Sequence, residues 1–266
     1  MPEIAEYRTG QFCWVDLATT DRKAAIAFYS ELFGWKTNDV TGDWGTYSIA
    51  QLGEKDVCGL GEQPAEMRRM GIPPHWTSYV WTTNADDLAK KATELGGKVV
   101  APPFDVTDAG RMAVLQDPTG ATFALWQAKK HGGARLVNEP GALCWNELAT
   151  RDTEAAKQFY CKLLGWTEIT KADPQIGFAY TEFTPQGGDR PTGGMLALGE
   201  SWGPVPPHWA VYFAVAKVDE IVERAKKYGG KVLVPPKDIP KVGRFAVLQD
   251  PQGAAFSVIT LSPTHK

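Results

Sequence analysis

The sequence predicts an α+β fold in which one βαβββ unit is used four times, as two tandem copies of a two-module domain. Three observations predict it. One long stretch of sequence recurs once, at a large offset. Each copy alternates short β-prone runs with single helical segments. The same punctuation (an Asp before a helix, a Gly after it, an Asp-Pro turn near the end) marks both copies.

The repeat is read directly. Phe12-Cys13-Trp14-Val15-Asp16-Leu17-Ala18-Thr19 recurs as Leu143-Cys144-Trp145-Asn146-Glu147-Leu148-Ala149-Thr150. Phe28-Tyr29 with Leu32-Phe33-Gly34-Trp35 recurs as Phe159-Tyr160 with Leu163-Leu164-Gly165-Trp166. Pro73-Pro74-His75-Trp76 matches Pro206-Pro207-His208-Trp209, and Gly110-Arg111 through Asp117-Pro118 matches Gly243-Arg244 through Asp250-Pro251. The offset grows from 131 residues at Cys13/Cys144 to 133 at Asp117/Asp250, so a small loop insertion separates the copies. Solenoid repeats run at ~20–50 residues, so this is a duplicated domain. The expected division is residues 1–130, a linker at 131–140 and residues 141–266. The four modules fall near 9–62, 73–129, 141–200 and 206–262.

Within the first copy, residues 11–18 are an apolar β-prone run. Thr20-Asp21 then offers an N-cap, apolar residues at helical spacing continue to Leu32-Phe33, and Gly34 stops the helix. Residues 35–60 hold three short β-prone runs broken by glycines. Residues 75–82 are again a strand, 86–95 an amphipathic helix ended by Gly96-Gly97. Three strands follow, at Lys98-Val99-Val100, Met112–Leu115 and Thr122–Trp126. Asp117-Pro118-Thr119-Gly120 is the tight turn between the last two.

Composition narrows the function classes. The formal charge is −3, from 28 basic and 31 acidic residues, with no basic block suited to nucleic acid or a membrane surface. No apolar run approaches the ~20 residues that span a bilayer. The acidic start Met1-Pro2-Glu3 lacks an apolar signal core, so a cytoplasmic protein is expected. The four cysteines form no C-x-x-C pair and read as small buried hydrophobes. There is no nucleophile elbow, phosphate loop or dinucleotide fingerprint. Ten tryptophans, several at matched positions, are the compositional anomaly.

The ordered set of Thr20-Asp21, Phe28-Tyr29, Leu32-Phe33-Gly34-Trp35, Gly110-Arg111 and Asp117-Pro118-Thr119-Gly120, used twice, resembles the vicinal oxygen chelate superfamily. That group includes glyoxalase I, bleomycin- and fosfomycin-resistance proteins and extradiol dioxygenases. The layout is most similar to its tandem actinobacterial members. The resemblance implies two open β-cups with helices outside, each cup holding a divalent metal on inward-facing strand residues. Counted from the motifs, those ligand positions fall on Trp14, Thr77 and Ala124, and on Trp145, Ala210 and Ser257. None is a good divalent-metal ligand, so no metal and no other cofactor is expected.

Strand parity sorts the rest, since residues i and i+2 share a face. Phe12, Trp14 and Asp16 fall together, as do Leu143, Trp145 and Glu147. The next module places His75, Thr77, Tyr79 and Trp81 on one face, and His208, Ala210, Tyr212 and Ala214 in the second copy. Trp126 shares parity with Ala124, where the second copy has Ile259. Asp16 and Glu147 are candidate acid–base groups helped by His75 and His208, or acids hydrogen-bonded to a nearby Arg or amide. Arg111 and Arg244 are candidate clamps for an anionic or carbonyl ligand, or partners of local acids.

Three functions compete. The first is a metal-free binding protein for a planar or carbonyl-containing metabolite or drug, held in aromatic-lined cups. The second is a lyase, isomerase or hydroxylase-type enzyme on methylglyoxal-like or polyketide substrates, using Asp16, Glu147, His75 and His208. The third is a metal-dependent lyase or dioxygenase with non-standard ligands. A monomer with an internal pseudo-dimer is expected, its one partner a small molecule.

Overall fold

The computed structural model describes residues 6–42, 45–173 and 177–262. The first module runs β1 (Phe12–Thr19), α1 (Arg22–Phe33), β2 (Lys36–Gly42), β3 (Gly45–Leu52) and β4 (Lys55–Glu62). A short helix α2 (Ala65–Arg69) leads to β5 (His75–Trp81), α3 (Ala85–Glu94), β6 (Lys98–Val106), β7 (Gly110–Gln116) and β8 (Thr122–Ala128). The second copy repeats the pattern: β9 (Leu143–Thr150), α4 (Thr153–Leu164), β10 (Thr167–Asp173), β11 (Phe178–Thr184) and β12 (Gly193–Ala197). Its last module is β13 (His208–Ala214), α5 (Val218–Lys227), β14 (Lys231–Ile239), β15 (Gly243–Gln249) and β16 (Ala255–Leu261).

The punctuation has a physical counterpart. Asp21 caps α1 by accepting the Ala24 amide at 2.9 Å, and Gly34 ends it at φ 74°, a left-handed turn that suits a residue without Cβ. Asp152 and Gly165 do the same for α4.

The strands order as β2-β3-β4-β1-β5-β8-β7-β6 in one sheet and β10-β11-β12-β9-β13-β16-β15-β14 in the other. Each cup is therefore built from consecutive modules, a connectivity that the sequence left open. The modules join through antiparallel β1–β5 and β9–β13 pairs, flanked by parallel pairs with β4 and β8, and with β12 and β16.

The helices lie outside the cups, and the cups stand back to back through them. Phe33 of α1 packs at 5.2 Å from Phe213 of β13, and Tyr29 packs at 5.2 Å from Phe256 of β16. The mirror contact sets Tyr160 of α4 at 5.4 Å from Phe123 of β8. Two of the core clusters thus mix residues of both copies. Hydrogen bonds pin the same seam. Tyr29 Oη donates to Asp250 Oδ2 at 3.1 Å and accepts from Trp76 Nε1 at 3.1 Å. Tyr160 Oη donates to Asp117 Oδ2 at 2.9 Å and accepts from Trp209 Nε1 at 2.8 Å. Each Asp also takes three backbone amides of its own turn on Oδ1. No helix among the described residues is long and apolar enough to cross a membrane.

Candidate functional site

The inner face of each sheet is the one turned away from the helices. In the first cup Asp16 stands opposite Thr77, Trp14 opposite Tyr79, Tyr79 beside Ala124, and Trp81 beside Trp126. In the second cup Glu147 stands opposite Ala210, Trp145 opposite Tyr212, Tyr212 beside Ser257, and Ala214 beside Ile259.

Phe12 does not join this face, contrary to the parity reading. The register shifts between Phe12 and Trp14, leaving Cys13 as an extra residue in β1. One inserted residue inverts the alternation, so Phe12 pairs with Val80 and packs at 4.9 Å against Trp209 in the inter-copy core. Leu143 is turned to the back in the same way, opposite Phe213.

Each inner face carries the same hydrogen-bonded cluster. In the first cup Trp14 Nε1 donates to Tyr47 Oη at 2.9 Å. Tyr47 and Tyr79 donate to Asp16 Oδ2 at 3.3 and 2.8 Å. In the second cup Trp145 Nε1 donates to Tyr180 Oη at 2.8 Å. Tyr180 donates to Glu147 Oε2 at 2.8 Å and Tyr212 to Glu147 Oε1 at 2.7 Å. Tyr47 and Tyr180 escaped the sequence reading. Their signal was glycine inside a strand, which marks a close approach: a Cβ at Gly59 or Gly194 would overlap the Tyr47 or Tyr180 hydroxyl.

Both carboxylates are half-buried, and this raises their pKa values. Burial lifts Asp16 from 3.8 to about 6, against the lowering pull of the Tyr79 and Tyr47 hydroxyls and of His75. Burial also raises Glu147, opposed by Tyr212 and Tyr180. The four tyrosines are pushed well above their ordinary range by burial and by the neighbouring acid, so they act as donors.

His75 and His208 sit at the strand mouths, each Nδ1 at 2.8 Å from the carbonyl of Pro73 or Pro206. Only the first of them touches the electrostatics of its carboxylate. The arginine clamps are not in the cups. Arg111 grips Asp86 with Nε and Nη2 at 2.7 and 2.9 Å, and Arg244 grips Asp219 at the same two distances. Both acids lie in the first turns of α3 and α5, on the helix side, so these residues take their alternative reading as partners of local acids.

The side chains at the expected metal positions do not fit a divalent ion. They are two indoles, two alanines, a threonine and a serine. The one carboxylate per cluster already accepts two tyrosine hydroxyls. Among the described residues no three His, Cys, Asp or Glu side chains converge. Two clefts lie elsewhere. One of about 330 Å³ sits at the start of α1, beside Arg22 and Gln63. One of about 200 Å³ lies in the seam between α1 and α5. Arg22 is already tied to Asp39 at 2.9 Å, and neither cleft gathers the groups described above.

Comparison with known proteins agrees with this architecture. The family model described as Glyoxalase/Bleomycin resistance protein/Dioxygenase superfamily matches residues 11–125 and again 127–258. The protein CFP32 of Mycobacterium tuberculosis is 44% identical over 265 residues, covering 99% of each chain. Anthracycline biosynthesis protein DnrV of Streptomyces peucetius is 38% identical over 269 residues, covering 97% of this chain and 96% of its own. Among solved structures, the Mn(II)-bound glyoxalase from Novosphingobium aromaticivorans superposes with TM-score 0.61 at 17% identity, covering 97% of this chain and 86% of that one. The 2,3-dioxygenase LapB from Pseudomonas sp. KL28 gives TM-score 0.65 at 12% identity, covering 98% and 97%.

Proposed function

The chain belongs to the glyoxalase/bleomycin resistance protein/dioxygenase superfamily, and on that premise we propose that it binds a planar, oxygen-bearing small molecule in an aromatic cup without a chelated metal. One observation carries this reading: in both copies an indole stands on one of the positions where the resemblance places a metal ligand, and it belongs to an indole–tyrosine–carboxylate–tyrosine cluster that borders the others. An indole face stacks on a flat ring, and a carboxylate flanked by hydroxyls exchanges hydrogen bonds with phenol or carbonyl oxygens. A relative named for anthracycline biosynthesis points to the same ligand class. The chain works alone, its two copies standing in for a dimer. The test is titration of tryptophan emission with a panel of hydroxyanthraquinones. Quenching at low-micromolar ligand, lost in Glu147→Gln, is expected; unchanged emission across the panel refutes the proposal.

The raised pKa of Asp16, about 6, favours a second reading, in which these acids move a proton on a carbonyl substrate. Turnover of such a substrate that survives in the Asp16→Asn/Glu147→Gln double variant removes both acids from any mechanism.

A further inference from the structure

The two cups share a cluster but not an interior. In the first, the linker fills the inner face. The His131 ring stands edge-on at 4.5 Å from Trp14 and at 5.8 Å from Trp126. The His131 carbonyl accepts the Trp126 indole N–H at 2.8 Å. A few residues on, the Ala134 amide donates to the Cys13 carbonyl at 2.8 Å, and the Tyr7 hydroxyl donates to the Ala134 carbonyl at 2.8 Å. Trp14 is left 4% exposed, in one core cluster with Tyr7, Tyr79, Trp126 and Ala134. The chain itself occupies the surface that a ligand would stack on.

The second cup is built differently. Where the first has Trp81 and Trp126, it has Ala214 and Ile259, in the same cross-strand register. Two indoles are thus replaced by the smaller side chains of an alanine and an isoleucine. The contrast falls on the indole: Trp145 is part-exposed where Trp14 is buried, while Glu147 and Tyr180 are part-exposed as Asp16 and Tyr47 are.

We infer that the second cup is the ligand site, and that it takes a planar molecule stacked on Trp145 with a hydroxyl or carbonyl oxygen at Glu147 and Tyr180. The first cup is a packed counterpart, closed by its own linker. This rests on the binding function proposed above. Stacking selects the more exposed indole, because displacing His131 from Trp14 would also take the acceptor from the Trp126 indole N–H.

The experiment is a calorimetric titration of the full chain with 1,4-dihydroxyanthraquinone as probe. One probe per chain is expected. Trp145→Leu should weaken binding about tenfold or more, the loss of a stacked ring and its buried area. Because that change also breaks the bond to Tyr180, a second variant keeps the test open. Ala214→Trp/Ile259→Trp installs the first cup's own side chains in the second and should abolish binding in a protein whose circular dichroism and thermal midpoint show it folded. His131→Ala should leave the affinity of the one site within about twofold. The inference is overturned if His131→Ala changes that affinity strongly while Ala214→Trp/Ile259→Trp does not, or if two equivalent sites titrate. Both of these outcomes leave the binding function standing. Failure of the wild-type chain to bind any hydroxyanthraquinone removes the binding function and this inference together.

Discussion

Replacing Asp16 by asparagine should make the protein more stable at neutral and alkaline pH, and the gain should vanish in acid. The folded-state pKa is raised from 3.8 to about 6, chiefly by burial. A raised pKa means that the folded chain binds the proton more tightly than the unfolded one. Its favourable contribution is complete below the unfolded pKa and is lost as pH rises through about 6. At pH 8 the wild type therefore carries the full cost of a half-buried carboxylate. About two pKa units at ~1.4 kcal/mol each set a ceiling near 3 kcal/mol. Residual solvent access brings the expected figure to ~1.5 kcal/mol. Urea unfolding of wild type and Asp16→Asn at pH 4 and pH 8 gives a double difference in which other titrating groups cancel. A double difference below ~0.5 kcal/mol, or of opposite sign, would show that the acid is not strained by its site. Glu147→Gln should follow the same sign, since burial raises Glu147 too. There the gain in stability should come with lost ligand binding, the trade expected of an acid kept for function.

Two further outcomes follow from the seam between the copies. Tyr29→Phe removes a donor to Asp250 and leaves the Trp76 indole N–H without its acceptor; a loss of ~2–3 kcal/mol is expected in urea unfolding, with a matching loss for Tyr160→Phe, and a change under ~0.5 kcal/mol in both would dissolve the pinning role. Residues 1–135 and 136–266 expressed separately should each fail to give a cooperative melt, because two of the core clusters draw on both copies; a lone half that melts cooperatively contradicts the shared core.

The modules were legible because their signals are local. Asp21 and Gly34 fix a helix by their own chemistry, and period-two runs fix strands, whatever lies around them. The inner face was legible only as far as parity holds. It placed Trp14, Asp16, Tyr79 and Trp126 together, and it failed at Phe12, where a single extra residue in β1 turns the side chain to the back. A bulge carries no compositional mark in Phe12-Cys13-Trp14. Tyr47 was missed for a different reason. Its hydroxyl reaches Asp16 from β3, across β4, and only the glycines that clear its path are visible in sequence. Arg111 and Arg244 misled as clamps because an arginine after a glycine looks the same whether it faces a ligand or, as here, the first turn of a helix.

The motifs that mark the repeat in sequence are, in the structure, the seam rather than the cup. Phe28-Tyr29 and the Asp-Pro turns meet their partners across the copies, and the Trp76 ring packs at 5.1 Å from Phe213: the tyrosine of one copy needs the aspartate of the other. Each half of the chain must therefore keep both a helix that docks and a turn that receives, and a change on either side strands a buried hydroxyl or carboxylate. The cups have no such reciprocity. They face away from each other, and among the described residues no hydrogen bond joins one inner-face cluster to the other. Their interiors are free to differ, and they do: Asp16 against Glu147, Trp81 against Ala214, Trp126 against Ile259. The segment that follows the first copy lies on the indoles of its own cup. A duplication held together at the back can thus vary the interior of one cup without disturbing the fold that presents it.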